Sequence, residues 1–331
     1  MTTSNTPLSL LDLAPITEDG SVAEAIRNSV RLAQSAENAG YTRFWMAEHH
    51  NMSDIASAAT SVILSHVGAK TDKIRIGSGG IMLPNHAPLI IAEQFGTLEA
   101  MYPGRVDLGL GRAPGTDYAT VQALRRETRS KGLDFPEMLE ELQYFLAPAS
   151  ASQNIKAIPG AGQNIPLWLL GSSTFSAQLA AKKGLPLVFA AHFAPDEMMA
   201  AIDTYKTHFT PSDQLEKPYV MICVNVIAAD TQEEAEYLGT TELQKFLNLG
   251  RGVRVRLPKP VQNMDSLWQP LEANRVRGQL RESIWGTPDV VHNRLEDLVQ
   301  RTGASEIMVN SWIWDADARV HSHELIAKSW F

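Results

Sequence analysis

The feature that most constrains this chain is a series of eight short β-like segments, most of them separated by helical patterns. The segments are residues 8–14, 42–47, 73–83, 105–111, 166–171, 186–191, 218–229 and 305–312. Helical periodicity is clearest over residues 22–38, 88–101, 117–129, 135–145, 173–183, 231–249 and 288–302. Strands that alternate with helices are typical of a parallel sheet, and eight such strands close a (β/α)8 barrel. We therefore predict an α/β fold, a single TIM-barrel domain over residues 1–331, with an open doubly wound sheet as the alternative.

Composition limits the partners of the chain. Its 331 residues suit one barrel, and 29 Lys and Arg against 37 Asp and Glu give a net charge of −8, which argues against a nucleic-acid groove. The single cysteine, Cys223, excludes an intrachain disulfide and a Cys-based zinc site. Residues 1–7 lack the features of a signal peptide, and no apolar run is long enough to span a membrane. The expectation is a cytoplasmic protein without a metal, nucleic-acid or membrane partner.

One long segment, residues 250–286, interrupts the alternation before the last βα unit. It contains three prolines and seven basic residues, namely Arg251, Arg254, Arg256, Lys259, Arg275, Arg277 and Arg281. Long loops in compact domains are usually functional or disordered. The segment is thus either a solvated, mobile loop or a lid over the barrel mouth that helps to hold an anionic ligand.

Polar residues follow several of the predicted strands, at the barrel end where active sites lie. The second strand ends in Glu48, His49 and His50. A neutral imidazole there is suited to act as a general base or a hydrogen-bond donor, although a histidine paired with a nearby carboxylate is the alternative. Adjacent strand residues point to opposite faces, so both histidines cannot enter the barrel, and this disfavours a two-histidine metal site.

Glycines mark the third and fourth strands. Gly79 and Gly80 lie in a Gly-Ser-Gly-Gly sequence, which permits either the close approach of a flat ligand or tight strand packing. Arg112 follows Gly109 and Gly111 in a spacing that does not fit a dinucleotide-binding fingerprint. We interpret Arg112 as an anion contact, with an ion pair to Asp117 as the alternative.

The fifth strand leads into a serine-rich turn at the start of a helix. Ser172, Ser173 and Ser176 follow Gly171 there. Free backbone N–H groups, hydroxyl donors and the helix dipole together suit a phosphate group. Ordinary capping of the helix by serine is the alternative.

Taken together, ordered motifs over nearly the whole chain resemble the bacterial luciferase-like, flavin-dependent monooxygenase family. The motifs are Phe-Trp-Met-Ala-Glu-His-His and further matches at residues 74–84, 92–94, 103–112, 184–186 and 286–288. The resemblance is to non-luminescent, single-subunit members. It implies a (β/α)8 barrel, a homodimer formed by helices near residues 56–70 and 88–101, and FMN that a separate flavin reductase supplies in its reduced form. Reduced FMN would react with O2 to a C4a-peroxyflavin that oxygenates a small organic substrate.

The resemblance also assigns roles to individual residues. His49, with Glu48 beside it, would be catalytic near the flavin. A non-proline cis peptide bond beneath the flavin ring would fall at Gly79-Gly80. The phosphate of FMN would be bound by Arg112, Ser172, Ser173 and Ser176.

The chain departs from luciferase in ways that leave other functions open. Ala191 replaces a luciferase tryptophan, and residues 250–286 differ from the mobile loop of luciferase, so light emission from a long-chain aldehyde is not expected. Hydride transfer with the deazaflavin F420 is the second hypothesis, and a non-catalytic flavin-binding protein is the third. A metal-dependent hydrolase would have only His49, His86 and His192 as candidate ligands.

Overall fold

The computed structural model describes residues 6–113, 116–124 and 135–331. The strands are β1 (Leu8–Asp12), β2 (Arg43–Met46), β3 (Arg75–Met82), β4 (Val106–Gly111), β5 (Leu167–Gly171), β6 (Leu187–Ala190), β7 (Val220–Ala228), β8 (Ile284–Gly286) and β9 (Glu306–Asn310). The helices are α1 (Val22–Asn38), α2 (Thr60–Gly68), α3 (Pro88–Met101), α4 (Tyr118–Leu124), α5 (Phe135–Leu146), α6 (Thr174–Lys183), α7 (Met198–His208), α8 (Gln232–Gly250), α9 (Pro270–Gln279), α10 (Pro288–Thr302) and α11 (Ala316–Trp330). A short 3-10 helix, Leu83–Asn85, follows β3.

Eight of these strands form a closed parallel barrel. Strands β1 to β6 pair in chain order, β6 pairs with β7, β7 with β9, and β9 with β1. The short β8 pairs only with the end of β7. The predicted (β/α)8 barrel is confirmed, and the closed ring of strands excludes the doubly wound alternative.

All eight predicted segments contain barrel strands, but several helices were not predicted. Helices α7 and α11 follow β6 and β9, and α9 lies inside segment 250–286, for which the sequence predicts a long loop. Only Ala273 and Val276 of α9 are buried, so its apolar periodicity is weak in the sequence. Residues 114, 115 and 125–134 lie outside the described part of the chain, and with them the second half of the predicted helix 117–129.

Charged side chains fill the amino-terminal end of the barrel interior. The guanidinium of Arg43 donates to Glu306 at 2.8 and 3.0 Å and to Asp107 at 2.8 Å, and Arg75 donates to the same aspartate. Above this layer the rings of Trp45 and another interior tryptophan, Trp168, meet edge to face at 5.2 Å between centroids. Because these buried charges are paired with one another, side chains close the amino-terminal end of the barrel.

Segment 250–286 covers the opposite, carboxyl-terminal end of the barrel. Its buried residues Leu257, Met264, Trp268, Ala273 and Val276 belong to one apolar cluster with residues that follow the strands, namely Leu13, Ala47 and Trp312. Ion pairs join Arg254 to Asp117 and Arg281 to Asp196. The segment is therefore packed against the barrel mouth in this structure rather than extended as a free loop.

None of the helices within the described residues is long and apolar enough to cross a membrane.

Candidate active site

Glu48 links the loops that follow β2 and β3 through hydrogen bonds. Its buried carboxylate accepts hydrogen bonds from His50 Nε2 at 2.6 Å, from His86 Nε2 at 2.8 Å and from the backbone N–H of Met82 at 3.0 Å. Burial alone would raise the pKa of Glu48, but the hydrogen bonds from His86, His50 and Met82 hold it below its ordinary value. Glu48 is thus an ionised group that positions its neighbours.

The same three side chains correct the prediction about metal ligands. The sequence offered His49, His86 and His192 without a supporting carboxylate, but the ligand atoms that come within 4.8 Å of one another belong to Glu48, His50 and His86. Glu48 and His50 lie two residues apart in the loop after β2, and His86 lies in the loop after β3, so the cluster contains only one of the two adjacent histidines, His49 and His50. Their separations of 2.6 and 2.8 Å are hydrogen-bond distances, and a carboxylate between two imidazoles satisfies both rings without an ion.

His49 and His192 lie near each other where β2 and β6 end. His49 is half-buried. Burial, together with a smaller contribution from nearby His49, lowers the pKa of His192 to about 4, against a hydrogen bond with the backbone of Cys223 that raises it. The Nδ1 atom of His192 is buried and has no hydrogen-bond partner among the described residues. Near neutral pH this site therefore contains an uncharged imidazole with an unused polar atom beside the predicted catalytic histidine.

The peptide bond between Gly79 and Gly80 is cis, as the resemblance implied. A Cβ atom on Gly79 would meet Leu11 Cδ1 at 2.6 Å, whereas one on Gly80 would meet the carbonyl oxygen of Gly109 at 2.8 Å. Close packing between β3 and β4 therefore accounts for Gly80 without a ligand. The glycine pattern is compatible with a flat ring at this site, but packing alone is enough to require it.

Arg112 lies beside the serine turn, as a single phosphate site formed by both would require. Its guanidinium carbon is 4.2 Å from the ring centroid of Phe175, in the first turn of α6. The alternative ion pair between Arg112 and Asp117 is wrong, since Asp117 pairs with Arg254 instead. Arg112 is exposed, and no carboxylate within the described ranges forms an ion pair with it. An exposed guanidinium at a helix N-terminus is a suitable anion contact.

The serine turn itself contains unused donors. Ser173 occupies the N-cap position of α6, yet its side chain makes no capping hydrogen bond, so the capping alternative is not what the structure shows. Ser172 is half-buried, whereas Ser176 is buried, and its hydroxyl fills the space where a Cβ of Gly171 would lie. The backbone N–H of Thr174 donates to Glu197 at 3.1 Å. A phosphate bound here would have to displace that carboxylate.

A buried polar network that the sequence did not reveal extends from His192 across the mouth. The amide of Asn225 donates to the carbonyl oxygen of His192 at 2.9 Å and to Glu242 at 2.6 Å, and Asn310 donates to Asn225 at 2.7 Å. Glu242 is fully buried and also accepts from Ser283 and Trp285. The sequence signal for this network is Glu242 itself, a charged residue on the face of α8 that the helical period turns towards the barrel.

Comparison with known proteins agrees with this geometry. A sequence model described as luciferase-like monooxygenase matches residues 6–306. A luciferase-like monooxygenase of Escherichia coli K12 is 51% identical over 98% of this chain and 97% of its own. N-acetyl-S-alkylcysteine monooxygenase of Bacillus subtilis is 38% identical over 75% of this chain and 76% of its own.

Solved structures show the same fold. The crystal structure of apo-MsnO8 has a TM-score of 0.88 and 32% identity, and covers 98% of both chains. At lower identity, 16% and 15%, the fold is shared with a diketocamphane monooxygenase from a plasmid of Pseudomonas putida in complex with FMN and with an F420-dependent secondary alcohol dehydrogenase, both at a TM-score of 0.71. The fold alone therefore does not distinguish between these two cofactors.

Proposed function

The chain belongs to the luciferase-like monooxygenase family, and we propose that within it the protein is an FMN-dependent, two-component monooxygenase. Reduced FMN and O2 would be its co-substrates, and a small organic molecule would receive one oxygen atom while the other leaves as water. The observation that carries the proposal is the position of Arg112 beside the serine turn, on the same barrel end as His49.

The donors at the start of α6 fit a phosphate monoester. Arg112 would supply the positive charge, Ser172 and Ser173 the hydroxyl donors, and the N-terminus of α6 its free backbone N–H groups. Ser176 would act mainly by closing the turn, because its side chain packs against Gly171. Glu197 would have to turn away, since a carboxylate and a phosphate repel each other at this distance.

The flavin ring would lie against the backbone of Gly79 and Gly80, with His49 as the catalytic residue. When bound, reduced FMN supplies the two electrons that activate O2. His49 would hold or transfer a proton at the reacting atoms, and Glu48 would fix the adjacent loops through His50 and His86. Trp312 and the apolar residues of segment 250–286 would exclude water from the reaction.

Assembly and supply of the cofactor complete the proposal. A transient flavin reductase would deliver reduced FMN, and the chain would form a homodimer through α2 and α3. These neighbouring helices expose Val62 (68% accessible), Ile90 (44%) and Met101 (50%), and Ser61 donates to Gln94 between them at 2.9 Å. Such exposed apolar side chains suit an interface between copies. Light scattering would give twice the chain mass, and a charged residue in place of Val62 would reduce it.

The decisive experiment compares three cofactors on the purified protein. Reduced FMN, oxidised FMN and reduced F420 are titrated without oxygen, and each complex is then mixed with O2 and candidate substrates. The proposal expects tight binding of reduced FMN and incorporation of one atom from labelled O2 into a product. Turnover of F420 without consumption of O2 would establish hydride transfer instead. Binding of FMN without any substrate-dependent use of O2 would indicate a flavin-binding protein.

A further inference from the structure

A cavity of about 210 Å³ lies beside the barrel mouth, and its lining does not include the serine turn. It is bounded by the second half of α8, by the start of segment 250–286 and by the loop that follows His49. The residues that matter for its chemistry are Met52, Lys245, Asn248, Arg254, Arg256 and Leu257. Its volume lies below the usual range for a complete ligand site, so it suits one part of a small organic molecule.

Positive charge dominates this cavity. Three of its lining residues are cationic and one, Asp54, is anionic, in a chain whose net charge is −8. Segment 250–286 as a whole has seven basic and three acidic residues. A local excess of positive charge in an acidic protein favours an anionic ligand at this position.

The three cations differ in how far they are neutralised. Lys245 forms a half-buried ion pair with Asp54, and Arg254 pairs with Asp117 while it also donates to the backbone of Asn51. Arg256 donates only to the carbonyl oxygen of Gly20, at 2.8 Å, and no carboxylate in the described part of the chain pairs with it. Arg256 thus retains most of its donors and an uncompensated charge.

The cavity adjoins the candidate active site. Met52 is three residues beyond His49, and Arg254 donates a hydrogen bond to the backbone carbonyl oxygen of Asn51, which lies between them. On the other side, Lys245 Nζ lies 4.0 Å from the ring centroid of Trp312, which follows β9 at the barrel mouth. Met52 and Leu257 pack with the apolar cluster at this mouth. A ligand in the cavity would therefore have a charged end near Arg256 and an apolar end towards the barrel.

We propose that this cavity binds the anionic head group of an organic acid, a carboxylate or a sulfonate, with Arg256 as its main contact and Arg254 as a second. The inference rests on the proposed function, because this acid is then the molecule that is oxygenated next to His49. Asn248 contributes an uncharged polar side chain to the same wall, and Met52 and Leu257 contact the carbon skeleton. The two arginines favour an acid over its neutral amide, whereas the two apolar residues contact a carbon skeleton that both ligands share.

The test measures binding without flavin, so that it does not depend on the oxygenation reaction. Benzoate, hexanoate and benzenesulfonate are titrated against their neutral counterparts benzamide and hexanamide, by ligand-observed NMR on the full chain. The wild-type protein should bind at least one of the acids and neither amide. The ratio between carboxylate and sulfonate identifies the preferred head group.

Three variants test whether the acid binds in this cavity. Arg256→Gln should weaken binding of the acid by roughly tenfold, in line with the loss of one charge-assisted hydrogen bond. Asn248→Asp, which adds a negative charge without changing size, should weaken it as well. Arg294→Gln, an exposed change on α10, is the matched control and should have no effect. Melting temperatures of all variants verify that each is folded.

Three results would overturn the inference. They are equal binding of acids and amides, no binding of any acid, and equal binding by folded Arg256→Gln and Arg294→Gln proteins. Failure of the monooxygenase proposal would show separately, as an absence of O2 use with reduced FMN. Acid binding that depends on Arg256 would still place an anion site here in that case.

Discussion

Gly80 of β3 lies so close to Gly109 of β4 that a Cβ atom on Gly80 would come within 2.8 Å of the Gly109 carbonyl oxygen. Backbone atoms of a closed barrel cannot move aside cheaply. We expect Gly80→Ala to lower the free energy of unfolding by about 1–3 kcal/mol, the usual cost of overpacking. Chemical denaturation followed by circular dichroism measures this loss.

Gly79→Ala is the matched comparison, because its Cβ would meet the mobile end of Leu11 at 2.6 Å instead of a backbone atom. Its destabilisation should therefore be smaller than that of Gly80→Ala. Equal losses would show that the contact with Gly109 is not what requires glycine at this position.

His49 should be needed for oxygenation and not for folding. We expect His49→Ala to lower the rate of substrate oxygenation by roughly a hundredfold, the usual contribution of a general acid or base, while reduced FMN still binds. His50→Ala is the comparison, since His50 pairs with Glu48 and should affect stability more than the rate. Rates from product formation, with binding of reduced FMN measured in parallel, separate the two roles. Full oxygenation activity in His49→Ala would remove the catalytic assignment.

The barrel was predictable from the sequence because its strands are short, apolar and separated by clear helical patterns. Helix α9 was not, since only Ala273 and Val276 are buried and a helix of ten residues then has little periodicity. The capping box at Gln269 and Glu272, which marks its start, begins with a glutamine rather than the usual serine, threonine or aspartate. Segment 250–286 consequently resembled a loop.

The candidate site was predictable as a set of motifs and not as a set of contacts. The resemblance implied that Arg112 and the serine turn bind one phosphate, and in the structure Arg112 lies beside that turn. It did not reveal that His50 and His86 share the carboxylate of Glu48, because Glu48 and His86 are distant in the chain and meet only through the pairing of β2 with β3. The network around Glu242 was missed for the same reason, as its partners come from β7 and from the region of β8.

Arg112 should distinguish FMN from riboflavin, which lacks the phosphate. We expect Arg112→Ala to weaken FMN binding by about tenfold to a hundredfold, the equivalent of one charged hydrogen bond, while riboflavin binding changes little. Fluorescence titration of both flavins on each protein gives the comparison. Ser172→Ala, which removes a neutral donor from the same turn, should have a smaller effect. An equal loss for the two flavins would mean that Arg112 supports the turn through Phe175 and does not contact the phosphate.

Glu242 should make stability depend on pH in a direction opposite to that of an ordinary ion-paired carboxylate. Burial raises its pKa to about 7 from the ordinary 4.5, against hydrogen bonds from Ser283, Trp285 and Asn225 that lower it. Between these values the folded protein keeps a proton that the unfolded chain has lost, so the contribution of Glu242 to the unfolding free energy falls as pH rises. A shift of this size corresponds to about 3 kcal/mol.

Glu242→Gln lacks the titration, and its stability relative to wild type should improve by up to that amount from about pH 5 to about pH 8. Because His192, whose pKa is lowered, gives the opposite slope, urea denaturation must compare both proteins at each pH, with the exposed Glu236→Gln as the control. A constant difference between Glu242→Gln and wild type across this range would show that Glu242 is ionised throughout.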